Sequence, residues 1–219
     1  MRGALIPMKD LAGAKMRLAG VLDREARSEL ALAMLTDVIT ACRESACFDL
    51  IAVVSSDSEV FWHARELGAK PLAEPATLSG LNDGLTFAQR YMARRVAVAE
   101  LTILPADIPL VRADDIRGVV EALGDAGARA VIVRARDNGT NALAMRPPEA
   151  LPMRFGVDSA EAHIAAAAQA QVEIVELTNE RLAFDVDAPE DLAALPGLPL
   201  GAATAGWLEA RAHYAAQAR

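Results

Sequence analysis

Short apolar runs alternate with longer stretches of helical periodicity along almost the whole chain, and this alternation limits the fold more than any other feature. Ala4–Ile6 reads as a first strand, followed by a loop containing glycine and lysine. Asp23 is placed to cap a long helix in which Leu30, Met34, Leu35, Val38, Ile39 and Cys42 recur at helical spacing. Leu50–Val54 is continuously apolar, as a strand buried on both faces of a parallel sheet must be. Ser58 is expected to cap a helix that Gly68 ends, followed by a loop rich in Pro, Ser and Gly. A helix from about Asp83 to Val98 leads to a strand at Leu101–Leu104, and a helix near Asp114–Leu123 leads to a strand at Ala130–Val133. Asn141–Met145 is a further strand candidate. Ser159 opens an Ala-rich helix, Val172–Val175 is a strand, and Pro189 begins a helix to Leu195. That order calls for an α/β fold, a Rossmann-like, doubly wound, mostly parallel sheet.

Composition bounds the remainder. A chain of 219 residues suits one sizeable domain, burying roughly 70% of its unfolded surface without a covalent staple. We expect one domain over residues 1–199, followed by an Ala- and Gly-rich helix or tail over 200–219 that carries Trp207. With 53% hydrophobic and 24% charged residues, whole-chain disorder is excluded. A net charge of −8 argues against non-specific nucleic-acid binding, so any phosphate must be held by a local basic cluster. Lys9 and Asp10 interrupt the apolar start, and Leu192–Leu208 is broken by Pro and Gly, so neither a signal peptide nor a membrane span is expected. Cys42 and Cys47, five apart in an apparent helix, lie on different faces and are expected to stay reduced; the expected compartment is the cytoplasm.

In open α/β sheets ligands bind at the carboxyl ends of the strands, so the loops there carry the chemistry. The loop after the first strand concentrates Lys9, Lys15 and Arg17 in an otherwise acidic protein. It matches neither GxxxxGK[ST] nor GxGxxG, and it reads equally as a triphosphate cradle or as a solvated charged loop. Asp107, bracketed by Pro105 and Pro109 just past a buried strand, suits a hard cation such as Mg²⁺, or else caps the next turn. Asp185 and Asp187 alternate along an extended piece, so one of them could join Asp107 around a metal; Glu190 and Asp191 are first-turn acids of the next helix. The turns at Arg136–Asn141 and Arg154–Ser159 each combine a glycine with a hydroxyl, as anion sites do. His63, His163 and His213 form no cluster at ligand spacing and read as structural, with His163 the one nearest a candidate loop.

Taken together, these loops make the chain similar to a known family, the guanylyltransferases of coenzyme F-420 biosynthesis, usually called 2-phospho-L-lactate guanylyltransferases, within the nucleotide-diphospho-sugar transferase fold. The matching segments are IPMKDLAGAKMRLAG at 6–20, VVSSD at 53–57, GLNDGL at 80–85, LPADIPL at 104–110, DNGTNAL at 137–143, RFGVDSAEAH at 154–163 and DVDAPEDL at 185–192. The resemblance implies transfer of GMP from GTP to the phosphate of a small phospho-acid (2-phospho-L-lactate, phosphoenolpyruvate or 3-phospho-D-glycerate), with release of pyrophosphate. It assigns Lys9, Lys15 and Arg17 to the triphosphate as catalytic groups, Asp107 and Asp187 to Mg²⁺, and Asn82 to the vicinity of the nucleotide. Thr140, Gly156 and Ser159 would hold the acceptor. Met16 departs from the small hydroxyl residue usual between the lysine and the arginine, and Ala188 from the common threonine. The implied partners are GTP and the phospho-acid, with no nucleic acid and no membrane; the sequence leaves the oligomeric state open, a homodimer included. Another acceptor, such as molybdopterin or a sugar acid, and a nucleotide-binding module without catalysis are the competing readings.

Overall fold

A computed structural model describes residues 1–78, 80–125 and 127–217. Its strands are β1 (Arg2–Pro7), β2 (Leu50–Ser55), β3 (Lys70–Ala73), β4 (Glu100–Ile103), β5 (Arg129–Arg134), β6 (Thr140–Arg146) and β7 (Glu173–Glu176). The helices between and after them are α1 (Arg24–Ser45), α2 (Ser58–Glu66), α3 (Leu81–Arg95), α4 (Ala113–Leu123), α5 (Ser159–Ala170), α6 (Pro189–Ala194) and α7 (Ala202–Gln217). Among the described residues the strands form one sheet in the order β3-β2-β1-β4-β6-β5-β7, with β6 alone running antiparallel to its neighbours.

Alternation along the strands loads both faces of the sheet. Ile6, Val53 and Val131 pack with Leu35, Val38 and Ile39 of α1 and with α2 and α4, whereas Leu5, Val54 and Ile132 pack under α3 and α5. Asp23 caps α1 as expected, its carboxylate accepting from the Ala26 N–H at 2.8 Å. The cap of α2 is Asp57 rather than Ser58, accepting from the Glu59 N–H at 2.8 Å. β3 occupies part of the segment expected to be loop. Lys-Pro-Leu-Ala lacks strand alternation, and Pro71 is tolerated because this strand lies at the sheet's edge. The segment Ala135–Gly139 joining β5 to β6 is too short for a crossover, which requires β6 to turn back antiparallel. Cys42 is buried and free, and its burial pushes the thiol pKa up; Cys47 is free as well.

Residues 202–217 of the expected tail form α7; 218 and 219 lie outside the described residues. Trp207 and Leu208 pack into a cluster with Leu30, Met34 and Phe184. The buried Asp37 carboxylate accepts from the Ala203 and Thr204 N–H groups, both at 2.9 Å, capping α7 from α1. Gly201 is required there, since a Cβ would collide with the Asp37 carboxylate. None of the helices in the described residues is long and apolar enough to cross a membrane.

β1 sits between β2 and β4, so the chain moves outward in opposite directions from this strand. The crevice at that reversal is where open α/β sheets place their ligands. The loops after β1 and β4 flank it.

Candidate active site

The cleft at this reversal has a volume of about 520 Å³. It gathers Lys9, Lys15 and Arg17, Asp107, Asp185 and Asp187, and Thr140, Gly156 and Ser159. Of the residues that the resemblance assigns to the site, Asn82 alone is absent from its lining. The Asn82 side chain instead binds both polar groups of Phe155, donating to its carbonyl at 2.9 Å and accepting from its N–H at 2.8 Å. It therefore ties the Arg154–Ser159 turn to the first turn of α3.

Charge pairing fixes the floor of the cleft. Lys15 Nζ lies 2.5 Å from Asp107 Oδ2 and 2.8 Å from Asp187 Oδ1, bridging loops that follow different strands. Its backbone is left-handed, φ +49°, which a lysine adopts at a cost and which aims the side chain inward. The Lys15 side chain is only 9% exposed. Burial pulls its pKa down, but the Asp107 and Asp187 charges outweigh burial and hold it above the usual lysine value. Burial likewise acts upward on Asp187, and Lys15, Arg17 and Lys9 more than reverse it, so that carboxylate stays ionised. Asp185 differs: burial, with the charges of Asp107 and Asp187, raises its pKa to about 6, although Asn141 donates to it at 3.2 Å. Met16 is 58% exposed, and its sulfur takes only a long contact of 3.7 Å from Arg27. Ala188, without a capping side chain, is served by Asp191, whose carboxylate accepts from the Asp187 and Ala188 N–H groups at 3.0 and 2.8 Å.

The opposite wall carries hydroxyls. Ser159 Oγ lies 2.9 Å from Thr140 Oγ1, and Thr140 Oγ1 lies 3.1 Å from His163 Nδ1, all three residues being buried. The Arg154 N–H donates to His163 Nε2 at 3.1 Å, which makes Nε2 the acceptor and leaves the proton on Nδ1. Thr140 Oγ1 thus accepts from the ring, and its own hydrogen is free for the cleft. Gly156, at φ +133°, adopts a backbone that other residues rarely reach.

Burial lowers the His163 pKa to about 4, the Ser159 carbonyl opposing and the Arg154 charge reinforcing the shift. The unfolded chain takes up this proton near pH 6.5 and the folded one only near 4, so stability is complete above about 6.5 and falls as the pH drops toward 4. The slope is at most about 1.4 kcal/mol per pH unit. His163→Gln is expected to flatten this part of the pH–stability curve, measured by urea unfolding; an unchanged slope would assign the acid lability to another group.

Comparison with known proteins decides what such a cleft belongs to. The family described as "Guanylyl transferase CofC like" matches residues 2–198. The chain belongs to that family. A phosphoenolpyruvate guanylyltransferase from Sphaerobacter thermophilus is 40% identical over 202 residues, covering 92% of this chain and 96% of that protein. Another from Rubrobacter xylanophilus is 40% identical over 192 residues, covering 88% and 92%. Among solved structures, a nucleotidyl transferase from Methanothermobacter thermautotroptrophicus superposes with a TM-score of 0.66 at 13% identity, covering 96% of this chain and 99% of that one. A candidate nucleotide-diphospho-sugar transferase from Desulfovibrio desulfuricans G20 gives 0.73 at 17% identity, covering 96% and 95%. The sheet is that of the nucleotide-diphospho-sugar transferases, and the protein is a guanylyltransferase.

The chemistry of the guanylyltransferase floor suits a hard cation. Two carboxylates already converge on one ammonium, and Mg²⁺ asks for one or two carboxylates with phosphate oxygens and water completing its shell. Among the described residues no group of three His, Cys, Asp or Glu side chains is arranged to hold a metal alone. Substrate oxygens would therefore have to supply the rest.

Proposed function

We propose that this guanylyltransferase moves GMP from GTP to the phosphate of phosphoenolpyruvate, with release of pyrophosphate, as a step of coenzyme F-420 biosynthesis. The observation that carries the reading is the two-sided cleft. A basic loop and two carboxylates form one wall, and a turn in which Ser159 Oγ donates to Thr140 Oγ1 forms the other. The relatives from Sphaerobacter thermophilus and Rubrobacter xylanophilus are phosphoenolpyruvate guanylyltransferases, which favours phosphoenolpyruvate as the acceptor.

In this reading Lys9, Lys15 and Arg17 bind the triphosphate, and Thr140, Gly156 and Ser159 bind the acceptor. An oxygen of the acceptor's phosphate attacks the α-phosphorus of GTP. The new P–O bond forms as the bond to the β-phosphate breaks, and pyrophosphate departs. The nucleophile is already ionised, so no general base is needed; the protein's work is to align two anions and neutralise them. Asp107 and Asp187 would hold Mg²⁺, which supplies charge neutralisation at the phosphate oxygens. His163 acts through Thr140, holding that hydroxyl as a donor.

The test is pyrophosphate release in the presence of Mg²⁺, crossing GTP, ATP and CTP with phosphoenolpyruvate, 2-phospho-L-lactate and 3-phospho-D-glycerate. GTP with phosphoenolpyruvate is expected to be the fastest pair. Turnover confined to another acceptor would reassign the hydroxyl wall.

A further inference from the structure

We propose that Glu74 reads the guanine base of the nucleotide, giving the enzyme its preference for GTP. This rests on the guanylyl-transfer reading above and adds a site to it.

A second cleft, of about 330 Å³, opens at the carboxyl ends of β1, β2 and β3. It shares Pro7, Met8, Lys9 and Leu81 with the larger cleft, so the two are continuous past Lys9. A nucleotide with its phosphates on the basic loop has its base one step further along. Val54, Pro75 and Leu85 offer apolar surface there, Ser56 a hydroxyl, and Asp10 and Glu74 the carboxylates; Asp10 is exposed and already accepts from the Gly13 N–H of its own loop at 2.7 Å.

Glu74 is held firmly at its backbone and left open to solvent at its carboxylate. Its N–H donates to the Ser55 carbonyl at 2.8 Å, continuing the β2–β3 pairing beyond Ala73. The half-buried side chain lies over Gly84 in α3, where a Cβ would stand 2.7 Å from Oε1. Gly84 is thus the cradle that lets the carboxylate lie there. Among the described residues the Glu74 carboxylate has neither a hydrogen bond nor an ion pair. Other half-buried or buried acids do: Glu100 is taken by Arg2 and Arg146, and Asp115 by Arg181 and Asn179. A carboxylate that only water solvates can exchange that water for a ligand bringing two adjacent donors, which form charge-assisted hydrogen bonds.

Guanine brings them. Its N1–H and exocyclic amine stand side by side on one edge and match the two oxygens of a carboxylate. Adenine sets a ring-nitrogen lone pair beside its amine on that edge, and cytosine does the same, so either would face Glu74 with like charge. A site built to accept two hydrogen bonds rejects analogues that lack one of them.

The experiment is equilibrium binding of GTP, ITP, ATP and 2′-deoxy-GTP to the full-length enzyme without acceptor, for the wild type, Glu74→Gln and Glu74→Asp. ITP lacks the exocyclic amine, and losing one hydrogen bond to a charged group should weaken binding about 10- to 100-fold. In Glu74→Gln the GTP-to-ITP ratio is expected to collapse to within about threefold, because the amide presents only one acceptor. Glu74→Asp should keep part of the preference, and thermal melting should show each variant folded. Equal binding of GTP and ITP by the wild type overturns the proposal, as does an unchanged ratio in Glu74→Gln. A ratio of GTP to 2′-deoxy-GTP that collapses in its place would put the carboxylate on the ribose and likewise overturn it. Pyrophosphate release with phosphoenolpyruvate is scored separately: a wild type that selects guanine but transfers nothing sinks the acceptor reading and leaves Glu74 in place.

Discussion

Asp107→Asn is expected to lower kcat/KM for guanylyl transfer by on the order of 1000-fold while the protein stays folded. Asp107 lies past the end of β4, and its main-chain carbonyl accepts from the buried Val186 N–H at 3.1 Å. That backbone bond joins the two acidic loops and does not depend on the carboxylate. The side chain's own partner is Lys15, which keeps Asp187 at 2.8 Å when Asp107 is neutralised. Loop and fold should therefore survive, and the loss should fall on the charge that gathers cations against the triphosphate. Because an amide still offers one oxygen, the variant should retain GTP binding and lose kcat more than KM. Pyrophosphate-release kinetics with thermal melting alongside checks both halves. An Asp107→Asn enzyme within tenfold of wild type would take Asp107 out of the reaction.

What the chain discloses before it is folded follows from how far apart the cooperating residues lie. The cap of α1 and the apolar face of that helix are local, and both are where the periodicity puts them. β2 is a continuous apolar run and could not be mistaken. β3 was hidden, because four residues containing Pro71 carry no alternation and only pairing with β2 makes them a strand. Without that pairing nothing in the sequence aims Glu74, which follows β3 directly. The direction of β6 was also hidden, since a run such as Thr140–Arg146 reads alike in both directions; the five-residue connection before it was the available signal. Meetings such as Lys15 with Asp187, 172 residues apart, follow from no spacing rule. They became legible only through the rule that ligands gather at strand ends, joined to the likeness of several loops at once. His163 belongs to no cluster at ligand spacing; its partners are a hydroxyl and a backbone N–H, which metal-ligand or triad spacing does not look for.

Lys15→Met separates two roles that the structure superimposes. As a structural cation, Lys15 neutralises Asp107 and Asp187. As a ligand for phosphate, it would leave that pair when the triphosphate arrives with Mg²⁺. Removing one member of a fully buried ion pair costs about 3–5 kcal/mol, but these carboxylates are 27% and 42% exposed and regain water, so the loss should be nearer about 1 kcal/mol. The unpaired carboxylates should then respond to the divalent ion alone: Mg²⁺ should raise the melting temperature of Lys15→Met more than that of the wild type. Activity is expected to fall on the order of 100- to 1000-fold and to stay low in Mg²⁺, because the ion replaces the ammonium between the carboxylates and not against the phosphates. Recovery of both stability and turnover on adding Mg²⁺ would reduce Lys15 to a counter-ion. Recovery of stability alone assigns the ammonium to the triphosphate. The left-handed backbone at Lys15 fits the second outcome, since a counter-ion at a partly hydrated carboxylate pair needs no strained residue to deliver it.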